Sequence, residues 1–363
     1  MNSVKLFFAG DFCSKPSTSK ITVTDELKDL IQSCDLKVVN FEVPLKPNVK
    51  LPSQKRERFY QNDDAPGFLR GLGFNLFSQA NNHAFDWGDE GFLKTKTALG
   101  DAAFGAGTYD EAYKVKVLDV AGRKIGFLGL SFSAYTGVFD DVTNHEGFGC
   151  AYINDLRVNH DIMEAKKFVD YLFVLPHDGI EYIDVPTPET IARYRDFIDY
   201  GADGVIAAHP HCPQGWEEYK GKPIFYSLGN FLFNSKEGYE FRAQKPHWYE
   251  GLCVVVTIAE GNLSWEVVNT KNVDNVGIEI DHNEERYKHN EQLCKYLIDQ
   301  KEYDFYFKIV CKRLGLGKEL KTLERSIIKN WLNKIRRRRT GVDIQLKRLL
   351  KHDQRRYLLL HSI

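Results

Sequence analysis

Gly204-Val205-Ile206-Ala207-Ala208-His209-Pro210-His211 is the stretch that decides how this chain reads. A small, apolar run forms a buried strand, and two imidazoles follow it two positions apart. Such a pair can hold metal in one crevice through neutral ring nitrogens. Working outward, four more apolar runs end on metal-capable side chains. Asp11 follows Val4–Gly10, Glu42 follows Lys37–Phe41, Asn82 and His83 follow Phe74–Asn81, and His177 follows Tyr171–Pro176. In an open α/β sheet, ligands gather at the carboxyl ends of the strands. Asp11, Glu42, Asn82, His177, His209 and His211 therefore read as one metal centre on one sheet edge.

The whole chain permits such a centre. Its 363 residues can bury a large core and a second small domain. A hydrophobic content of 43% with 27% charged residues is that of a globular protein. No apolar run approaches the roughly 20 residues that span a bilayer, and the N-terminus enters a strand at once. The seven cysteines are scattered without a C-x-x-C, as expected of free thiols in a reducing compartment. A soluble, cytoplasmic protein is the expectation. The formal charge of −1 hides an asymmetry: Lys312–Arg356 holds 16 Lys and Arg against four acids, +12 on the tail and −13 on the rest.

Strands alternate with helical patterns up to about residue 230, which predicts a layered α/β fold. Helices are expected near Asp25–Cys34, Asp89–Leu99 (ended by Gly100), Asp155–Phe168 and Pro188–Tyr200 (capped by Thr187). Val115–Val120 and Lys124–Leu130 flank a hairpin turn, as do Leu252–Ala259 and Leu263–Val268 around Glu260-Gly261-Asn262. Asn48–Asp64 reads as a polar, basic excursion above the sheet. The expected division is a domain over 1–275 and a basic helical C-terminal extension over 284–363.

Two divalent ions close together need hard oxygen ligands, imidazoles and a bridging carboxylate, and the strand ends supply that set. Several longer segments carry a specific likeness. They are Ala9-Gly10-Asp11, Asn40–Leu45, Ala80–Gly88, Gly105-Ala106-Gly107, His177–Tyr182 and Gly201–Phe233. On these segments the chain resembles the CapA family of poly-γ-glutamate capsule biosynthesis, within the calcineurin-like metallophosphoesterase superfamily, over roughly residues 4–270. The resemblance implies a four-layer α/β/β/α sandwich and two divalent ions of Mn, Fe or Zn. It implies Asp11 and His211 on one ion, Asn82, His177 and His209 on the other, and Glu42 as the bridge. His83 would assist a developing oxyanion or leaving group, oriented by Asp86.

The superfamily's Asp-x-His opening reads Asp11-Phe12-Cys13 here, so one imidazole is missing and the first ion is expected to be looser. Cys13 reads as a buried structural thiol rather than a substitute ligand. Arg56 and Arg58 could reach an anionic substrate, or belong to a solvated loop. Glu181 and Gln214 are candidates for substrate contact or for support of the ligands. The expected activity is hydrolysis of a phosphoester, in a polymer or glycan, during capsule or surface-polymer synthesis. The alternatives are γ-glutamyl polymer synthesis or hydrolysis, an accessory role, and a scaffold with a vestigial site. The tail, with Trp331, Leu332 and Ile335 ahead of Arg336–Arg339, can lie on the inner face of an anionic membrane or bind a polyanion or partner protein. The other reading is a helical appendage packed on the acidic body. Nucleic acid ranks last, since no reader motif accompanies the charge.

Overall fold

The computed structural model describes residues 3–48, 59–133, 137–139, 145–234, 244–245 and 247–313. A nine-stranded sheet is centred on Val4–Ser14, which pairs in parallel with Leu36–Phe41 and antiparallel with Glu250–Ala259. Asn230–Asn234 joins the far end of that central strand in parallel. Leu76–Ser78 and Ala103–Phe104 extend one flank, and Asn262–Val273, Gly277–Ile280 and Thr22–Val23 the other. The second sheet runs Pro213–Tyr219, Lys222–Leu228, Gly204–Ile206, Tyr171–His177, Arg123–Ser131, Lys116–Val120. Its inner pairings are parallel and its two outer ones antiparallel.

Side chains alternate across each strand, so each sheet has two faces to cover. Val4, Leu6 and Phe8 turn inward and meet Phe127, Phe173, Ile206 and Phe225 of the second sheet. Phe7 and Ala9 turn outward onto Leu27 and Ile31 of helix Asp25–Gln32 and Leu69 of helix Ala65–Leu72. On the far side, Leu128, Leu172 and Val174 lie under Val158 and Ile162 of Arg157–Ala165 and under Tyr194 and Phe197 of Pro188–Asp199. The result is the expected α/β/β/α sandwich. With both faces covered, the inner strands are apolar almost without interruption. Each fully buried aliphatic or aromatic side chain stabilises it by about 1.5–3 kcal/mol.

Some elements differ from the sequence reading. Helix Ala65–Leu72 was not expected; Pro66 opens it and Gly73, at φ 104°, ends it, while Gly67 and Gly71 weaken its helical pattern. The long hairpin turns on two residues, Glu260 and Gly261, both at positive φ, as the tight turn between twisted strands requires. The sheet continues past residue 275 through Gly277–Ile280. Helices Glu284–Ile298 and Gln300–Arg313 pack on the sandwich. Leu297 joins the outer cluster of the second sheet, Trp216 N donates to Cys294 Sγ, and Tyr303 Oη donates to Pro186 O. The basic segment from 314 onward, including Arg336–Arg339, lies outside the described residues.

Candidate metal centre

The six candidate ligands come from two facing sheets, which corrects the expectation of one sheet edge. Asp11, Glu42 and Asn82 are carried by the nine-stranded sheet and the connections that leave it; His177, His209 and His211 belong to the six-stranded one. Asp11 does not follow its strand but lies within Val4–Ser14, where the register shifts against both parallel neighbours. A bulge of this kind re-aims a side chain. Gly10 makes the bend possible: a Cβ there would lie 2.0 Å from Gly229 O, to which Asp11 N donates at 2.9 Å. His209 and His211 have φ of 105° and 57°, where side chains with a Cβ are strained by about 1–3 kcal/mol each. Strain at these two imidazoles persists because the surroundings hold it. Ala208 bridges to the His177 strand, and His209 N donates to Asp11 Oδ2 at 3.1 Å.

Three of the candidate ligands already converge. His177 Nε2 lies 2.9 Å from Asn82 Oδ1 and 3.1 Å from His209 Nδ1. Ligands at about 2.1 Å from a tetrahedral ion stand about 3.4 Å apart, so little movement would admit one. The other set surrounds His211, whose Nδ1 is 3.4 Å from Asp11 Oδ2 and whose Nε2 is 3.4 Å from Glu42 Oε1. Asn230 Nδ2 donates to Trp248 O and His211 O, which turns its Oδ1 onto His211 Nδ1 at 2.9 Å. When the ring gives up its second proton, that hydrogen bond keeps the remaining one on Nδ1 and leaves the lone pair on Nε2, toward Glu42.

Asp11, Glu42 and His209 are fully buried, and His177 and His211 nearly so. Burial works against ionising Asp11, yet His211, His177 and the Asn40 amide hold its carboxyl below the usual range. For His211 burial acts against the charged form, but Glu42 and Asp11 outweigh it and push the pKa up to about 9. Trp248 and Phe233 flank the His211 ring, and Phe132 covers His209. A buried carboxylate pair and three buried imidazoles, with the half-buried Asn82 carboxamide beside them, fit divalent transition ions by donor chemistry.

His83 sits at the margin, with 13% of its side chain exposed, and its Nε2 is 3.9 Å from Glu42 Oε1. Its Nδ1 lies 2.8 Å from Asp86 Oδ2, which also accepts from Phe59 N, so Asp86 orients the ring. Glu181 lies near enough to act on the charge of His211. Gln214 is buried, and its amide donates to Ile183 O, supporting the loop after His177. Cys13 packs with Val43, Phe59, Phe233 and Trp248. Arg56 and Arg58 lie outside the described residues.

Two residues carry weight that the sequence reading did not give them. Asn40 Nδ2 donates to Asp11 Oδ1 at 2.7 Å and lies 3.1 Å from His177 Nδ1, joining the two sheets. Asn81 Nδ2 donates to Asn40 Oδ1 and Phe41 O, and its Oδ1 accepts from His83 N. The available signal was an amide inside an apolar strand, Val38-Val39-Asn40-Phe41.

Among known proteins, the chain is 29% identical over 247 residues to the PGA biosynthesis protein CapA of Bacillus subtilis, covering 62% of each. It is 30% identical over 206 residues to the capsule biosynthesis protein CapA of Bacillus anthracis, covering 54% of this chain and 49% of that one. A probable polyglutamine synthesis accessory protein of Mycobacterium tuberculosis is 26% identical over 244 residues, 63% of each chain. The chain thus spans about half to two thirds of the length of these relatives. Among solved structures, a phosphatase of Mycoplasma pneumoniae aligns with TM-score 0.45 and 16% identity, over 74% of this chain and 94% of that one. The bacterial capsule synthesis protein family PGA_cap matches residues 5–235, and the chain belongs to that family.

Proposed function

We propose that this chain is a binuclear metal-dependent hydrolase that cleaves a phosphoester during synthesis of a bacterial capsule or related surface polymer. The observation that carries the reading is the convergence of six mixed oxygen and imidazole donors in one buried crevice, with the His83–Asp86 pair at its margin. Asn82, His177 and His209 would hold one divalent ion of Mn, Fe or Zn, Asp11 and His211 the other, with Glu42 between them. When bound, such ions supply Lewis-acid polarisation of phosphoryl oxygens and water of lowered pKa. The side chains do the rest. Asp86 accepts from His83 Nδ1 and Glu42 faces Nε2; the two carboxylates favour the imidazolium, which can give its Nε2 proton to a leaving oxygen and remain neutral with Nδ1–H on Asp86. Phe132 and Trp248 keep bulk water from the imidazoles, which strengthens every charge interaction in the crevice. We place the activity at the cytoplasmic stage of polymer synthesis, with the basic tail as its contact to an anionic surface.

The relatives in PGA biosynthesis and polyglutamine synthesis favour a second reading in which the same centre acts on γ-glutamyl linkages. One experiment separates the two. Protein stripped of metal and reloaded with Mn²⁺ is screened against phosphomonoesters, phosphodiesters and γ-glutamyl peptides. Metal-dependent turnover of a phosphoester that is lost in His209→Ala supports the first reading. Turnover of γ-glutamyl peptides alone supports the second, and a metal-loaded protein inert to every class would be a scaffold.

A further inference from the structure

A second cluster of ligand-type side chains lies where the helix Glu284–Ile298 docks on the sandwich. One carboxylate oxygen of Asp184 and one ring nitrogen each of His247 and His289 lie within 4.8 Å of one another. They come from three separate segments: the loop after Tyr171–His177, the turn that leads into Glu250–Ala259, and the helix itself. None of them belongs to the centre described above, and the hydrolase reading makes no use of them.

The chemistry of the cluster points to a cation. A carboxylate with two imidazoles is a borderline donor set of the kind that Zn²⁺ and its neighbours take. Glu250 Oε2 lies 2.5 Å and Arg286 Nη1 3.2 Å from His247 Nδ1, so Nδ1 is engaged by this pair and Nε2 is the nitrogen left for an ion. Carboxylates hold metal-binding histidines in this way. Arg286 pairs with Glu250 and holds it in turn. Asp184 Oδ2 accepts from Tyr306 Oη at 2.6 Å, which steadies the third donor. His289 Nε2 is enclosed, 3.9 Å from Asp184 Oδ2, and makes no hydrogen bond among the described residues. Asp184 and Glu250 against Arg286 leave a net negative charge for a cation to offset. The two imidazoles stack 4.6 Å apart at 13°, so one ring must turn for both lone pairs to meet an ion. With 26% and 31% of their side chains exposed, both have room to do so.

We propose that Asp184, His247 and His289 form a separate, structural site for one divalent transition-metal ion, Zn²⁺ before others, which clips the C-terminal helix to segments of both sheets. The first test uses full-length Asp11→Ala/His209→Ala protein, in which the main centre is disabled and folding is checked by circular dichroism. Titration with Co²⁺ should give one equivalent of visible d–d absorption that Zn²⁺ displaces. Adding His289→Gln should abolish it. The second test needs no disabled centre: in otherwise unaltered protein, His289→Gln and His247→Gln should each bind one Zn²⁺ fewer by equilibrium dialysis. Each should also lose part of the Zn²⁺-dependent rise in melting temperature. Absence of the Co²⁺ signal from the folded double variant, or equal Zn²⁺ stoichiometry with and without His289, overturns the proposal. Either result leaves the main centre untouched, because its loading is read separately in protein with intact Asp11 and His209.

Discussion

Replacing Gly10 with Ala would set a methyl group 2.0 Å from Gly229 O, a backbone atom that cannot swing aside. Gly10→Ala should therefore destabilise the fold by about 3 kcal/mol or more, the upper range of overpacking, and lower metal content with it. A urea midpoint equal to that of the parent protein would show that the two strands have slack there. The imidazoles allow a sharper separation. His209→Ala removes a direct donor and should lower metal occupancy. His83→Ala should keep its metal and lose roughly two to four orders of magnitude of turnover, the usual range for a positioned acid. Equal metal loss in both variants would mean that His83 supports the centre rather than the chemistry. Asn40→Leu keeps the bulk but removes the amide that ties Asp11 to His177. It should weaken metal binding about 10–100-fold, measured by competition with a chelating dye. Aspartate and histidine closing apolar runs were legible in the sequence because such runs seldom end on ionisable side chains. Asn40 was not, because its role exists only once the two sheets face each other.

Among the elements, the helix Glu284–Ile298 shows how closely the C-terminal part is fitted to the body. A Cβ on Gly215 would lie 2.8 Å from Leu293 C and 2.9 Å from Cys294 N, both backbone atoms of that helix. Gly215→Ala should push the helix from the edge strand Pro213–Tyr219 at a cost of about 1–3 kcal/mol. Amide exchange over residues 284–298 should then quicken while exchange in Val4–Ser14 does not, and uniform protection throughout would count against this docking. Hydrophobic period and caps located the helices Asp25–Gln32, Gly88–Leu99 and Pro188–Asp199 to within a few residues. They failed at Ala65–Leu72, where glycines interrupt the pattern and packing on the nine-stranded sheet decides the conformation.

For the molecule as a whole, the charge asymmetry makes a separate prediction. Val310 is the last buried residue described, so a chain ended after Arg313 keeps the core of the sandwich. Such a truncation should retain the melting temperature and metal content of the full chain. It should lose flotation with anionic vesicles, since basic side chains near such a surface contribute about 1 kcal/mol each. Full-length protein that ignores anionic vesicles at every salt concentration, or an insoluble truncation, would return the tail to a packed, structural role.

By itself the sequence determined the candidate ligands, the layered α/β class and the family likeness, because the ends of apolar runs, caps and motif spacing are local properties of the chain. Only the tertiary structure decided that the donors arrive from two sheets, that Asp11 lies within a bulged strand, and that His209 and His211 are held at positive φ. These are consequences of contact between residues far apart in the chain: Gly10 against Gly229, His209 N on Asp11, Asn40 across to His177. No local pattern encodes such pairs. They are set by which faces must be buried and by which buried polar groups must then find partners.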